Sequence, residues 1–238
     1  MKESLETTYK RIEGWLSPKE AEQLFRLATA STFLEGDIVE IGSWKGKSTV
    51  IFGAVCKETG KGKVFAIDPH TGSPEHGDVW TYPEFEKNIK EANLEEYIIP
   101  IIKTSQEAAK DWNRPIRLLW IDGNHEFYYV KKDYSLFSPH VVTNGIVAFH
   151  DALSSPGVKQ VLRDFFFGSN KFKNFRFVEN IVYAERTVQV TFKENLENLY
   201  TFYLWQLYGI YSILYSKGIF RLPRWCKQFF KFLSGSLK

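Results

Sequence analysis

Apolar and polar positions follow two different rhythms along this chain. Over 17–31, Ser17-Pro18 precedes Ala21, Leu24, Phe25, Leu27 and Ala28 at helical spacing, which predicts a capped amphipathic helix. Apolar runs at 37–42, 63–68, 97–102, 116–122 and 145–150 then alternate with helical segments at 47–57, 83–93, 105–112, 126–138 and 156–167. Such alternation predicts a parallel α/β sheet. The runs at 37–41 and 116–121 are apolar almost throughout, as expected of strands covered by helices on both faces. Past residue 173, two short runs at 175–178 and 181–184 flank Glu179-Asn180 and read as an antiparallel hairpin that closes the sheet.

The pattern divides the chain into a helical segment, 1–34, a core, 35–194, and an aromatic tail, 195–238. Residues 198–216 carry no formal charge, and a helix over 196–220 is apolar nearly all round. Such a helix must be covered by protein or by lipid, although its tyrosines do not suit the middle of a bilayer. The stretch 221–233 mixes Arg221, Arg224, Lys227 and Lys231 with Trp225, Phe229, Phe230 and Phe232, as segments at an anionic membrane surface do. Two readings stand side by side: a protein interface, such as a homodimer through the tail, and a peripheral membrane contact.

Composition narrows the classes. With 238 residues, 44% apolar and 25% charged, the chain can bury one core plus an appendage. The 31 basic and 28 acidic residues balance too closely for a nucleic-acid footprint, so no nucleic-acid partner is expected. Cys56 and Cys226 are too far apart for a metal knuckle or a disulfide framework, which fits a reducing compartment. Residues 1–6 lack the apolar run of a secretory signal, and the expected location is cytoplasmic, at the inner membrane surface if the tail meets lipid.

Candidate chemistry gathers at the ends of the predicted strands, where open α/β sheets bind ligands. The segment Val39-Glu40-Ile41-Gly42-Ser43-Trp44-Lys45-Gly46-Lys47-Ser48-Thr49 ends a strand and opens a helix, with glycines where backbone must approach a ligand. The next strand ends on Asp68, placed to accept ribose hydroxyl protons. Bulky Trp44 stands where a pyrophosphate-binding turn would carry glycine, which favours a cofactor without phosphate. The fourth strand ends in Asp122-Gly123-Asn124-His125 and the fifth in His150-Asp151. Asp122, His150 and Asp151 supply a mixed oxygen and nitrogen set compatible with magnesium, manganese or another divalent cation, and His125 could take a proton from an attacking hydroxyl. Asp133 and His70 read as solvated residues, and the long loop 70–83 reads as a lid that shapes acceptor choice.

The glycine loop and the following acid resemble motif I and its partner in class I S-adenosylmethionine-dependent methyltransferases, especially the family that includes macrolide-sugar and cephamycin-cluster O-methyltransferases. The resemblance covers roughly residues 35 to 186. It implies a Rossmann-like, seven-stranded, mostly parallel sheet. It also implies that Glu40 and Gly42 flank the methionine end of S-adenosylmethionine, with Ser43, Gly46 and Ser48 completing the loop's contacts. Asp68 would hold the ribose, Ser105 after Thr104 would lie near adenine, and Asp122 would border the cofactor. Asp122 and His125 match an Asp-x-x-His element of the metal-dependent members, whereas His150-Asp151 departs from their paired carboxylates. The implied activity is methyl transfer to a hydroxyl of a sugar, glycan or specialised metabolite. Metal-independent methyl transfer and a non-catalytic membrane-associated subunit with the same fold are the alternatives.

Overall fold

The computed structural model describes residues 3–72, 77 and 79–217. Two helices, α1 (Glu3–Arg11) and α2 (Pro18–Ala30), lead into β1 (Asp37–Ile41), α3 (Lys47–Thr59), β2 (Val64–Ile67), α4 (Tyr82–Glu91), β3 (Ile98–Ile101) and α5 (Ser105–Ala109). The chain continues through β4 (Ile116–Ile121), α6 (Phe127–Phe137), β5 (Val141–Phe149) and α7 (Pro156–Val161), then β6 (Phe172–Val178), β7 (Ile181–Arg186) and α8 (Phe192–Ser216). The seven strands form one sheet in the order β3-β2-β1-β4-β5-β7-β6. β1 to β5 pair in parallel, whereas β7 runs antiparallel to both β5 and β6. This is the mostly parallel sheet with a closing hairpin that the sequence predicts.

Side chains alternate across each strand, and both faces are buried. Val39, Ile41, Leu119, Ile121, Val147 and Phe149 face a core shared with Phe137, Val161, Phe166 and Trp205. Ile38, Leu118, Trp120 and Ala148 face the other core, filled by Tyr9, Leu24, Phe52 and Phe85 from α1 to α4. The N-terminal helices therefore share the sheet's core. Arg117 is the exception within β4: fully buried, it donates to the carbonyls of Ala28 (3.0 Å) and Lys61 (3.1 Å) and to the Ser31 hydroxyl (2.8 Å), tying α2 and the α3–β2 turn to the sheet. That network lies at the amino edge, away from the strand carboxyl ends.

Register does the positioning. Ile41 pairs with Ile67 and Ile121, and Ile121 pairs with Phe149, so four neighbouring strands end level. The residues that follow, Gly42, Asp68, Asp122 and His150, form a row along the carboxyl edge. Backbone bonds extend the ladder one step into that row: Gly42 N–H to Ile67 (2.9 Å), Asp122 N–H to Ile41 (2.8 Å) and His150 N–H to Ile121 (3.0 Å).

Local departures from the sequence expectations have packing causes. α1 carries only Leu5 and Tyr9 inward, too few for periodicity to announce it. α5 stops at Ala109, and α7 gives way at Leu162 to a π-helical turn that keeps Leu162 and Phe166 buried. β5 begins at Val141 rather than 145, because Val141 pairs with Ile116 before a register shift. α8 begins earlier than expected, at the Thr191 capping box, and its described part ends at Ser216. The basic-aromatic stretch 221–233, with Cys226, lies outside the described residues. No helix among the described residues is long and apolar enough to cross a membrane.

Candidate active site

The turn after β1 is built on left-handed backbone that the sheet supports. Trp44 and Gly46 both adopt left-handed backbone, with φ of 46° and 88°, and the Gly46 N–H closes the turn on the Ser43 carbonyl at 2.7 Å. The glycines have a packing reason as well as the expected ligand approach. A Cβ on Gly42 would lie 2.1 Å from the Asp122 carbonyl oxygen, and one on Gly46 would lie 3.2 Å from the Phe85 ring. Gly42 lets the β1 exit pack directly on the β4 exit, and Gly46 lets α3 start against α4.

Glu40 points down from β1 into the protein and is fully buried. It accepts bonds from the hydroxyls of Ser48 and Thr49, each at 2.5 Å. Burial pushes its pKa up to about 8, against the pull of both hydroxyls. Ser48 therefore serves Glu40. Ser43 is also buried, and its hydroxyl has no partner among the described residues, an orphan at the turn where a polar ligand would supply one.

Asp68 braces the loop, accepting the Trp44 N–H (2.8 Å) on one oxygen and the His70 N–H (2.7 Å) on the other. His70 is buried rather than solvated. Its Nδ1 meets the Thr81 hydroxyl at 2.9 Å, its ring lies against Tyr82 and Phe85, and burial lowers its pKa. The base of the expected lid is thus pinned. Its centre, 73–76 and 78, lies outside the described residues. Asp133 is likewise buried rather than solvated. It accepts a bond from the Ser105 hydroxyl, and burial lifts its carboxyl to about 7. Ser105 therefore begins α5 facing Asp133, while Thr104 caps that helix.

Past the row lies the acid and histidine cluster. His125 Nε2 is 3.0 Å from Asp151 Oδ2 and 4.0 Å from Asp122 Oδ1. One ligand atom from each of Asp122, His125 and Asp151 lies within 4.8 Å of the others, a spacing that could hold a metal ion. All three are partly open to solvent. His150 sits behind them, 5% exposed, with Nδ1 3.1 Å from Asp122 Oδ1 and 3.2 Å from Asp151 Oδ2. Its Nε2 faces Glu20 Oε1 of α2 at 3.6 Å. Glu20, which sequence reasoning did not single out, also accepts the backbone N–H groups of Ser17 (2.9 Å) and Asn180 (3.0 Å).

The charges reinforce one another. The flanking carboxylates of Asp122 and Asp151 raise the His125 pKa to about 10. Burial would raise the Asp151 carboxyl, but bonds from His125, His150 and the Ser154 hydroxyl hold it well below the usual range. Burial would lower His150, yet Asp122, Asp151 and Glu20 lift it well above the ordinary imidazole value. Asp151 itself is left-handed at φ 52°, an unusual backbone for a non-glycine residue that turns its side chain toward His125. Three ligand atoms at this spacing suit a divalent cation.

Residues 39–152, spanning the loop, Asp68 and the whole cluster, match the model of a methyltransferase domain. Among solved structures, the fold resembles the O-methyltransferase NovP at 16% identity, over 71% of this chain and 80% of that one, with a TM-score of 0.64. It also resembles the O-methyltransferase TomG of Streptomyces achromogenes, solved with S-adenosylmethionine, at 14% identity, over 79% and 91% of the two chains, with a TM-score of 0.58. CalS11, a TDP-rhamnose 3'-O-methyltransferase, is similar at 16% identity, over 71% and 81%, with a TM-score of 0.51. Over residues 39–152 the chain thus matches a methyltransferase-domain model, and its fold is that of these O-methyltransferases.

Proposed function

We propose that this chain is an O-methyltransferase that moves the methyl group of S-adenosylmethionine to a hydroxyl of a sugar, glycan or specialised metabolite inside the cell. Residues 35–194 would carry the reaction, with 1–34 covering one face of the sheet. The observation that carries the reading is the level row Gly42, Asp68, Asp122, His150, which brings the cofactor loop and the Asp122–His125–Asp151 cluster to one edge.

The orphan Ser43 hydroxyl and the carboxylate at Asp68 suit the polar ends of the cofactor, and Gly46 and Ser48 shape the loop around Glu40. Ser105, held by Asp133, would face adenine. Asp122, His125 and Asp151 would hold a divalent cation, which when bound supplies Lewis acidity to the acceptor oxygen and lowers the pKa of its hydroxyl. The geometry favours exchanging the two imidazole roles expected from the sequence. His125 converges with the two carboxylates and is assigned as a ligand, whereas His150, walled in behind them, orients both aspartates. The row of strand ends would then align the hydroxyl with the methyl carbon.

Titration of the purified chain with S-adenosylhomocysteine, with and without magnesium, tests the reading. Binding lost in Asp68→Ala, and a magnesium effect lost in Asp122→Ala, are the expected outcomes. Absence of S-adenosylhomocysteine binding would sink it, and methyl transfer that survives exhaustive chelation would remove the cation.

A further inference from the structure

α8 has two unlike sides. Asn198, Thr201, Leu204 and Trp205 are buried on the sheet side, with Asn198 donating to the Phe172 carbonyl at 2.9 Å. On the opposite side Leu196, Leu199, Tyr200, Tyr203, Leu207 and Ile210 are each about half exposed. At about 100° per residue these six fall in one stripe roughly 100° wide and about 21 Å long. An exposed apolar stripe of that length is a contact surface.

The sequence around it says what kind. After Glu197 the chain contains no acid to its end, and it carries Lys217, Arg221, Arg224, Lys227, Lys231 and Lys238. The aromatics among them, Trp225, Phe229, Phe230 and Phe232, belong to the composition of interfacial segments. A second copy placed on the stripe would double this uncompensated positive charge, whereas an anionic surface neutralises it.

α8 also reaches the carboxyl edge of the sheet, through the side that carries Gly209 rather than through the stripe. The Cβ position at Gly209 lies 3.3 Å from Leu153 Cδ2, two residues past Asp151. Elsewhere on that edge the exposed ring of Trp15 lies 6.0 Å from Trp44 of the cofactor loop, and exposed Trp80 lies 6.3 Å from His70.

We infer that the free face of α8, with the cationic stretch after it, docks this protein on an anionic lipid bilayer and holds the Asp122 cluster at the lipid–water boundary. The docking stands on the helix itself; only its use, delivery of an acceptor hydroxyl at the membrane, rests on the methyl-transfer reading. The occupant is a lipid surface rather than a second copy, because the sequence after Glu197 carries six basic residues and no acid.

Co-sedimentation of the full chain with vesicles tests this directly. The wild type should pellet with phosphatidylcholine vesicles containing about one quarter phosphatidylglycerol and remain in solution with phosphatidylcholine alone. Leu199→Gln/Leu207→Gln removes apolar contact at exposed positions, and Arg221→Gln/Arg224→Gln removes charge from the sequence after Lys217; each should lower the bound fraction about tenfold with unchanged Tm. Failure of the wild type to pellet, or unaltered pelleting of both variants, would overturn the inference. So would a wild-type dimer that Leu199→Gln/Leu207→Gln converts to monomer without changing lipid binding, since a second copy would then cover the stripe. S-adenosylhomocysteine titration of the same preparations separates the two readings: cofactor binding without lipid binding defeats docking alone, and lipid binding without cofactor binding defeats methyl transfer alone.

Discussion

Glu40→Gln should make the cofactor-free protein more stable, and the gain should grow with pH. Folding raises the Glu40 pKa from 4.5 to about 8, so the folded state favours the protonated acid. The sign follows from proton linkage: the wild type is at no disadvantage below pH 4.5, and stability is lost as pH rises through the folded pKa. At about 1.4 kcal/mol per unit, the cost is about 1 kcal/mol at pH 5, about 3 kcal/mol at pH 7 and nearly 5 kcal/mol above pH 9. Glutamine keeps the shape without the charge, but its amide must replace one of the two hydroxyl bonds, which returns about 1 kcal/mol. A net gain of about 2 kcal/mol at pH 7 corresponds to a rise in Tm of about 4–8 °C in a chain of this size. Thermal unfolding at pH 5, 7 and 9 measures it, and S-adenosylhomocysteine titration on the same samples should show weaker binding. A Tm difference that does not change with pH, or a variant less stable than wild type at pH 9, would refute the reasoning.

Three other perturbations separate the forces that shape the site. Gly42→Ala forces a Cβ to 2.1 Å from the Asp122 carbonyl and should cost more than about 3 kcal/mol, whereas Gly60→Ala, at φ 66° with nothing within 4 Å, should cost only about 1 kcal/mol. Comparing their Tm values distinguishes clash from backbone strain. Glu20→Gln keeps the helix cap but weakens the contact with His150, for a loss of about 1–3 kcal/mol at pH 7 in urea unfolding. Burial raises the Glu20 carboxyl, but His150 and the Ser17 and Asn180 N–H groups together bring it below its ordinary value, so the difference should close as pH falls below the usual carboxylate range. Arg117→Met takes the buried donor from the Lys61 carbonyl and leaves the Ala28 carbonyl with the Ser31 hydroxyl alone; it should cost about 3–5 kcal/mol, read as a lower urea midpoint at constant slope.

The strand-end residues were legible because a parallel strand announces both its run and its stop. Gly42, Asp68, Asp122 and His150 each follow an apolar stretch, and level register then aligns them. Glu20, His70 and Asp133 were not legible as site residues. Glu20 reads as a helix-capping acid, which it also is, and nothing along the chain reveals that α2 meets His150. Asp133 follows two lysines and reads as solvated, although it shares the buried face of its helix with Val130 and Phe137; its partner Ser105 lies 28 residues away in sequence. The tail was legible in composition but not in geometry: an all-round apolar helix proved to have one packed side and one open side, set by where β6 runs.

The junction between the β4 exit and α7 limits how this site can be redesigned. A Cβ on Gly157 would lie 2.2 Å from the His125 carbonyl, and the Ser155 hydroxyl donates to that same oxygen at 3.0 Å. The loop bearing His125 and the loop bearing Asp151 are therefore clamped into one unit, and diversity introduced at 155–157 would scatter the cluster before it altered acceptor preference. A library has its freedom elsewhere, at Trp80 and Tyr128, whose rings are more than half exposed.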